Sequence, residues 1–235
     1  IFGGRSGALA EYVAVRESGS IAQKPANIDF EQAGGVYVAA LTALQALRDR
    51  GAVQPGQKVL INGASGGVGT FAVQIAKSLG AEVTAVCSTR NVDLVRALGA
   101  DHVIDYKSAD FTQGVARYDV ILDNVANRPI LEIRRVLAPA GKYILIGGGG
   151  PDANPWVGAL KAPLKALIVS WFVDQDMGFF VSNASTADVE TLARLMEEGK
   201  VTPVVDRKYP LAEVADAMRY LEDGHARGKV VVTID

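Results

Sequence analysis

This sequence of 235 residues contains one cysteine and two histidines, and its basic and acidic residues nearly balance. The single cysteine cannot form an internal disulfide, so cysteine usage gives no support for an oxidising compartment. The 24 basic and 26 acidic residues leave a net charge of −2, which indicates no surface built for nucleic acid or an anionic membrane. These shortages argue against a nucleic-acid-binding protein and against a disulfide-stapled secreted one.

Long apolar runs are also missing from the sequence. The stretch from Ala159 to Val173 is interrupted by two lysines and a proline, and it falls short of a membrane-spanning helix. The chain begins with Ile1 and shows no basic start followed by an apolar stretch. An N-terminus of this kind proves little about targeting. We expect a cytoplasmic protein without a membrane partner, folded around the sizeable core that 49% apolar residues allow.

Glycine, by contrast, is abundant, with 25 residues. Between residues 58 and 146, short apolar runs alternate with stretches of helical periodicity. Strands are predicted at Lys58–Asn62, Glu82–Cys87, His102–Asp105, Tyr118–Asp123 and Lys142–Ile146, and helices at Val68–Leu79, Val92–Leu98 and Ile130–Leu137. This alternation predicts an α/β fold with a doubly wound parallel sheet of the Rossmann type.

The flanks of this region hold further predicted elements. A strand is expected at Ala8–Val15, and a helix from the capping box of Asp29 and Gln32 to Arg50. After the alternating region the predicted order is helix Trp156–Ile168, apolar segment Gly178–Val181, helix Ser185–Glu198, strand Val204–Tyr209, helix Leu211–Leu221 and strand Lys229–Ile234.

A glycine-rich turn follows the first strand of the alternating region. Its small residues match the dinucleotide fingerprint G-x-G-x-x-G, which needs a tight turn, a backbone that approaches a pyrophosphate, and close packing of helix on strand. The N-terminus of the following helix attracts phosphate. The residues expected to bind a dinucleotide are Ala64, Ser65, Gly66, Gly67, Val68 and Gly69. The alternative is a glycine-rich turn without a ligand.

The end of the second strand bears on which dinucleotide binds. An NAD site places an acidic residue there to hold the ribose hydroxyls, whereas this sequence has Ser88 and Arg90 and no acid. Ser88 can donate to a 2′-phosphate and Arg90 can neutralise it, which favours NADPH. The alternative is that Ser88 caps a helix and Arg90 is a solvated charge.

Two further strand ends are expected beside the cofactor, because ligands of open parallel sheets bind at the carboxyl ends of the strands. Asn124 and Val125 follow the fourth strand, and Gly147 and Gly148 follow the fifth. Asp123, immediately before them, is equally consistent with capping of a turn.

Five stretches, in order along nearly the whole chain, resemble the medium-chain dehydrogenase/reductase superfamily, and specifically its zinc-independent quinone-oxidoreductase-like branch. They are Gly7–Val13, Ala40–Leu47, Gly63–Gly69, Leu98–Tyr106 and Gly228–Val231. The resemblance implies a Rossmann domain at residues 42–181 and a partial GroES-like substrate domain formed by residues 1–41 and 182–235. The family's N-terminal part, which supplies one wall of the substrate cleft, is mostly missing from this sequence.

The resemblance also implies further cofactor contacts. Thr42 is expected near the nicotinamide carboxamide, Tyr106 near the adenosine phosphate, Phe179 and Phe180 beside the nicotinamide, and Lys229 at a terminal contact with the cofactor. Each has a simpler interpretation: a polar helix residue for Thr42, surface packing for Tyr106, core packing for the phenylalanines, and a solvated charge for Lys229.

A catalytic zinc is not expected. Zinc needs ligands such as Cys and His, and the resemblance places Val38 where zinc-dependent relatives carry a cysteine ligand, four residues before Thr42. Cys87 is interpreted as a packing residue, His102 as a strand-end residue and His225 as part of a surface loop.

We therefore expect an NADPH-dependent oxidoreductase that transfers hydride to a quinone or an α,β-unsaturated carbonyl. The resemblance also implies a homodimer, since relatives pair their Rossmann sheets edge to edge and Gly178–Val181 offers an apolar edge. No side chains show the spacing of a nucleophile with its base or of paired carboxylates, so no catalytic residue is named. Two alternatives stay open: an alcohol dehydrogenase of the same superfamily, and a non-catalytic relative that binds NADPH.

Overall fold

The structure is a computed structural model that describes residues 2–3, 9–146 and 175–234. Gly147, Gly148 and the predicted helix Trp156–Ile168 lie outside the described residues. In chain order the strands are β1 (Phe2–Gly3), β2 (Ile21–Ala22), β3 (Lys58–Asn62), β4 (Glu82–Cys87), β5 (His102–Asp105), β6 (Tyr118–Asp123), β7 (Leu137–Leu145), β8 (Asp176–Phe179), β9 (Val205–Pro210) and β10 (Lys229–Thr233).

The described helices alternate with the central strands and also flank them. They are α1 (Phe30–Gly34), α2 (Tyr37–Gln45, continued by a π-helical turn at Ala46–Arg50), α3 (Gly67–Ser78), α4 (Val92–Ala97), α5 (Ile130–Val136), α6 (Thr186–Glu197) and α7 (Val214–Glu222). None of these helices is long and apolar enough to cross a membrane.

Strands β3 to β8 form one six-stranded sheet in the order β5-β4-β3-β6-β7-β8, and every neighbouring pair is parallel. The strand order reverses between β3 and β6, where Asn62 pairs in register with Asp123. Ligands of open α/β sheets bind outside the carboxyl ends of the strands at such a reversal. The topology therefore brings the turns after β3 and β6 to the place where a ligand is expected.

Apolar residues on both faces of the sheet create two cores. Val59 and Ile61 of β3 pack in one hydrophobic cluster with Phe71 of α3, whereas Leu60 packs in the other with Ile133 of α5. Successive side chains of a strand point to opposite faces, so this partition requires cover on both sides of the sheet. The predicted doubly wound parallel sheet is confirmed, whereas the GroES-like assignment of the two chain ends stays a prediction.

Two predictions about the N-terminal flank are wrong. Residues Leu9–Val15 form no strand, and Tyr12 is 90% exposed, because no described strand lies beside them to accept their backbone hydrogen bonds. The helix expected up to Arg50 begins at the predicted capping box but breaks after Gly34. At the break, a Cβ on Gly35 would lie 3.0 Å from Cβ of Lys229, so the glycine allows β10 to approach closely.

Several boundaries also differ from the sequence predictions. Strand β7 begins at Leu137 rather than Lys142, because Leu137 already pairs with Tyr118 before a register shift. The apolar segment predicted at Gly178–Val181 overlaps only in its first half with a sixth parallel strand, β8, which ends at Phe179. The short parallel pair of β9 and β10 packs with α7 at the C-terminal end of the chain.

Candidate functional site

The turn between β3 and α3 has the close packing that the fingerprint requires. A Cβ on Gly69 would lie 2.1 Å from the carbonyl oxygen of Gly63 and 2.7 Å from the backbone of Ala64. Gly63 itself has a φ of +77°, a conformation that L side chains rarely adopt. Glycine at position 69 therefore lets α3 sit directly against the end of β3, and the turn is as tight as predicted.

The N-terminus of α3 is left open at this turn. Gly66 is the residue before the helix, it offers no side-chain cap, and the first helical turn contains no acidic residue. Amide groups of a first helical turn have no partner within the helix, and the helix dipole adds partial positive charge there. Ser65, Gly66, Gly67 and Val68 are partly exposed, so their backbone remains accessible to a phosphate group.

Lys229 brings a full positive charge to the same helix terminus. Its side chain crosses from β10 so that Nζ lies 3.6 Å from the Cβ position of Gly67. Burial lowers the pKa of the Lys229 ammonium, and no carboxylate among the described residues forms an ion pair with it. A desolvated cation beside open helix amides fits a pyrophosphate, which would supply the missing negative charge.

The backbone holds Lys229 in this position. The amide of Gly228 donates to the carbonyl of Ser65 at 2.9 Å, and the amide of Lys229 donates to the carbonyl of Val204 at 2.8 Å. Gly228 has a φ of +93°, and a Cβ there would lie 2.4 Å from the oxygen of Val204. The glycine before Lys229 is therefore required by the geometry that fastens β10 to the turn.

The end of β4 lies beside the same turn. Ser88 is 9% exposed and precedes a short 3₁₀ turn, but its side chain makes no capping hydrogen bond. Arg90 is exposed and donates to the backbone carbonyl of His225 at 2.6 Å, which ties the end of β4 to the loop before β10. Tyr106 is also exposed, and its amide donates to the carbonyl of Cys87. Ser88, Arg90 and Tyr106 thus follow two neighbouring strands at one edge of the sheet.

Asn91 is a residue of this region that sequence reasoning missed. It is 5% exposed, and its Nδ2 donates to Oγ of Ser65 at 2.9 Å and to Oγ of Ser88 at 3.2 Å. The amide therefore joins the glycine turn to the end of β4. The only sequence signal is an asparagine three residues after Ser88, which does not reveal a partner 26 positions earlier.

Asp123, the last residue of β6, has a structural role in the turn that follows the strand. Asp123 is fully buried, and its carboxylate accepts hydrogen bonds from the amides of Val125 and Ala126 and from the Tyr143 hydroxyl, so it caps the turn. Burial and the neighbouring carboxylate raise the pKa of Tyr143, which keeps its proton on the phenol. The side-chain amide of Asn124 donates to the carbonyl of Asn62 at 2.9 Å. The Oδ1 atom of Asn124 is buried and has no hydrogen-bond partner among the described residues.

Thr42 of α2 contacts the segment that follows β8. Oγ1 of Thr42 is 2.7 Å from the carbonyl oxygen of Val38 and 3.0 Å from Oγ of Ser182. Phe179 is 46% exposed, whereas Phe180 is partly buried against the core. The predicted residues Thr42, Phe179 and Phe180 are therefore neighbours of one junction between α2 and β8.

Metal ligands are not clustered in the described part of the chain, where no group of three or more Cys, His, Asp or Glu side chains could hold a metal ion. Cys87 is buried, and burial raises the pKa of its thiol to about 11, which disfavours the thiolate that binds metal. Val38 offers no donor atom at the position discussed above.

Comparison with known sequences gives a family. Residues 98–232 match the profile of a family described as zinc-binding dehydrogenase. The chain is 36% identical to the mouse (Mus musculus) mitochondrial NAD(P)H oxidoreductase RTN4IP1, over 98% of this chain and 62% of that protein. It is 37% identical to a chloroplastic NADPH-dependent alkenal/one oxidoreductase of Arabidopsis thaliana, over 96% of this chain and 53% of the relative. The chain thus spans less than two thirds of the length of these relatives.

Solved structures share the fold. The quinone oxidoreductase of Coxiella burnetii matches with a TM-score of 0.78 at 28% identity, covering 91% of this chain and 64% of that one. An NAD-dependent alcohol dehydrogenase matches with a TM-score of 0.83 at 29% identity, covering 98% of this chain and 66% of that one. Together with the glycine turn and its sheet, these similarities show that the chain belongs to the medium-chain dehydrogenase/reductase superfamily, in its quinone-oxidoreductase-like branch.

Proposed function

We propose that this protein is an NADPH-dependent oxidoreductase that reduces a quinone or an α,β-unsaturated carbonyl compound. The observation that carries the proposal is Lys229, a partly buried cation without a described carboxylate partner, beside the open amides of α3. The bound nicotinamide would supply the hydride from its C4 carbon. The names of the two relatives, an NAD(P)H oxidoreductase and an alkenal/one oxidoreductase, support the same reaction class.

The residues of this chain have distinct roles in the proposal. Lys229 and the backbone of Gly66 and Gly67 bind the pyrophosphate, because positive charge and free amides converge there. Ser88 and Arg90 recognise the 2′-phosphate. No acidic residue follows β4 directly in the sequence, and the neighbouring Asp105 of β5 accepts a hydrogen bond from the Thr89 hydroxyl.

The nicotinamide would lie at the junction of Thr42 and Phe179. The Thr42 hydroxyl is engaged with the Val38 carbonyl and with Ser182, so it orients the neighbouring backbone and is not assigned the role of an acid. Asn124, Val125 and the glycines Gly147 and Gly148 are proposed to line the same side. Reduction needs no metal in this proposal, since Val38 replaces a ligand and the cofactor carries the electrons.

A two-part experiment tests the function. NADPH binding to the 235-residue chain is titrated by cofactor fluorescence, and turnover is then followed as loss of NADPH absorbance with a panel of quinones, enones and simple alcohols or ketones. Reduction of a quinone or enone by metal-free protein supports the proposal. Activity only toward alcohols or ketones, together with one tightly bound zinc per chain, would instead establish an alcohol dehydrogenase.

A further inference from the structure

The side chain of Asn91 contacts the glycine turn and does not contact the helix that follows it. Asn91 ends the 3₁₀ turn Thr89–Asn91, directly before α4, and makes no side-chain capping hydrogen bond there. Its side chain is instead buried against the glycine turn, with Nδ2 on two serine hydroxyls and Oδ1 without a partner among the described residues. A buried acceptor without a partner is destabilising, so this placement of Asn91 needs an explanation other than helix stability.

The hydrogen-bond direction determines where the serine protons point. A hydroxyl has one proton to donate and two lone pairs that accept. Because Nδ2 of Asn91 donates to both oxygens, the protons of Ser65 and Ser88 are left to donate elsewhere. Ser65 belongs to the turn at the open end of α3, and Ser88 directly follows β4, so one amide orients hydroxyls in both halves of the proposed cofactor site.

We propose that Asn91 is a positioning residue for cofactor selection, which directs the Ser65 proton to the pyrophosphate and the Ser88 proton to the 2′-phosphate of NADPH. The inference rests on the proposed function. Asn91 itself does not touch the phosphates. It acts by removing the rotational freedom of two donors, so that they are already aimed when the ligand arrives.

The first test replaces the amide. Asn91→Leu keeps the approximate shape but removes the donor, and Asn91→Ala removes it while leaving space beside Ser65. Both variants are expected to weaken NADH binding about three- to tenfold and NADPH binding roughly ten- to fiftyfold, because NADH uses only one of the two oriented hydroxyls. Thermal unfolding of each variant reports whether the fold is retained. Equal losses for the two cofactors would overturn the role in selection.

A double-mutant cycle separates positioning from simple support of the fold. In a Ser88→Ala background the oriented hydroxyl is gone, so Asn91→Ala should weaken NADPH and NADH by the same factor. Persistence of the NADPH-specific loss in that background would contradict the proposal. Thr89→Val is the matched control, because Thr89 lies between Ser88 and Asn91 in the sequence but its hydroxyl donates to Asp105. It should leave both affinities within about twofold.

The outcomes distinguish this inference from the proposed function. If the unmodified chain binds neither cofactor, both the proposed function and the inference about Asn91 are wrong. If it binds them and the Asn91 variants bind equally well, only the inference falls. If neither Asn91 variant folds, variants of the two serines provide the test. The proposal requires that Ser65→Ala weaken the binding of both cofactors equally and that Ser88→Ala weaken the binding of NADPH alone.

Discussion

In the proposed function, Arg90 is the residue expected to determine cofactor preference most directly. It is exposed and its only described hydrogen bond runs to the His225 carbonyl, so its charge is free of any described carboxylate partner. Arg90→Ala is expected to weaken NADPH binding roughly ten- to a hundredfold, the equivalent of about 1.5–3 kcal/mol, and to leave NADH nearly unchanged. Raised salt should reduce the preference of the unmodified protein, because the contact is partly exposed. Fluorescence titration with both cofactors measures this; equal losses would mean that Arg90 only supports the loop.

Substitution of Lys229, unlike substitution of Arg90, is expected to affect the binding of the two cofactors equally. Lys229→Met should weaken NADPH and NADH by the same factor, because both carry the pyrophosphate. It should also stabilise the cofactor-free protein, since it removes a desolvated cation whose charged form burial disfavours. Lys58→Met, at the opposite end of β3, is the control for removal of a lysine charge. Unfolding temperature and cofactor affinity are measured together, and a loss of stability without loss of affinity would exclude the pyrophosphate contact.

At the scale of elements, the contact of α3 with β3 predicts different results for two neighbouring glycines. A Cβ on Gly69 would collide with the Gly63 carbonyl, so Gly69→Ala should separate helix from strand and cost about 1–3 kcal/mol or more. A Cβ on Gly66 meets only that same oxygen at 3.4 Å, and the backbone of Gly66 is extended. Gly66→Ala should therefore fold normally but bind the cofactor more weakly, because the methyl group blocks the approach of phosphate. Urea unfolding and cofactor titration test the pair, and similar stability for both variants would contradict this geometry.

The junction of α2 with α6 predicts an acid-sensitive contact. Burial disfavours ionisation of Asp188, but hydrogen bonds from Arg48 and Gln45 outweigh it, and the pKa of Asp188 is lowered from 3.8. A carboxyl with a lowered pKa in the folded state stabilises the protein above its unfolded pKa, and this contribution is lost as the pH falls through the folded value. Gln45 also binds both backbone groups of Asn183, so the same contact fixes the segment after β8.

Removal of the Asp188 carboxylate should therefore lower the free energy of unfolding at neutral pH and have little effect on it in acid. Asp188→Ala is expected to lower the free energy of unfolding by about 1–3 kcal/mol near neutrality, and this difference should shrink at pH values well below 3.8. Asp93→Asn is the control, because its fully exposed carboxylate reaches only Arg96, at 3.9 Å. Urea unfolding across the pH range tests the prediction, which a pH-independent difference would refute.

At the scale of the whole molecule, β8 is an edge strand of the described sheet, at which a second chain can pack. It pairs with β7 on one side and with no described strand on the other, while Phe179 and Val181 are exposed beside it. Exposed apolar edges need covering, and we propose that a second copy of the chain covers this one. Light scattering should show a dimer, and Phe179→Lys should shift it toward monomer. A monomer at high concentration for the unmodified, folded chain would exclude this arrangement.

Local signals explain which parts of the molecule could be predicted from sequence. The strands Lys58–Asn62 and Tyr118–Asp123 were predicted with the bounds they have, because strands buried on both faces are continuous apolar runs that end at polar or glycine residues. The capping box at Asp29, the helix start at Ser185 and the tight glycine turn also follow from neighbours within a few positions. The sequence by itself therefore determined the Rossmann sheet and the position of its tight glycine turn.

Long-range contacts decided the rest. The alternating residues Leu9–Val15 form no strand because a strand needs a neighbour, which periodicity does not reveal. Asp123 was equally consistent with a ligand role until burial placed its oxygens on the turn amides. Lys229 became a desolvated charge and Asn91 a bridge between two serines only because β10 and α4 pack against the glycine turn. Such roles depend on groups brought together from distant positions, and only the tertiary structure brings them together.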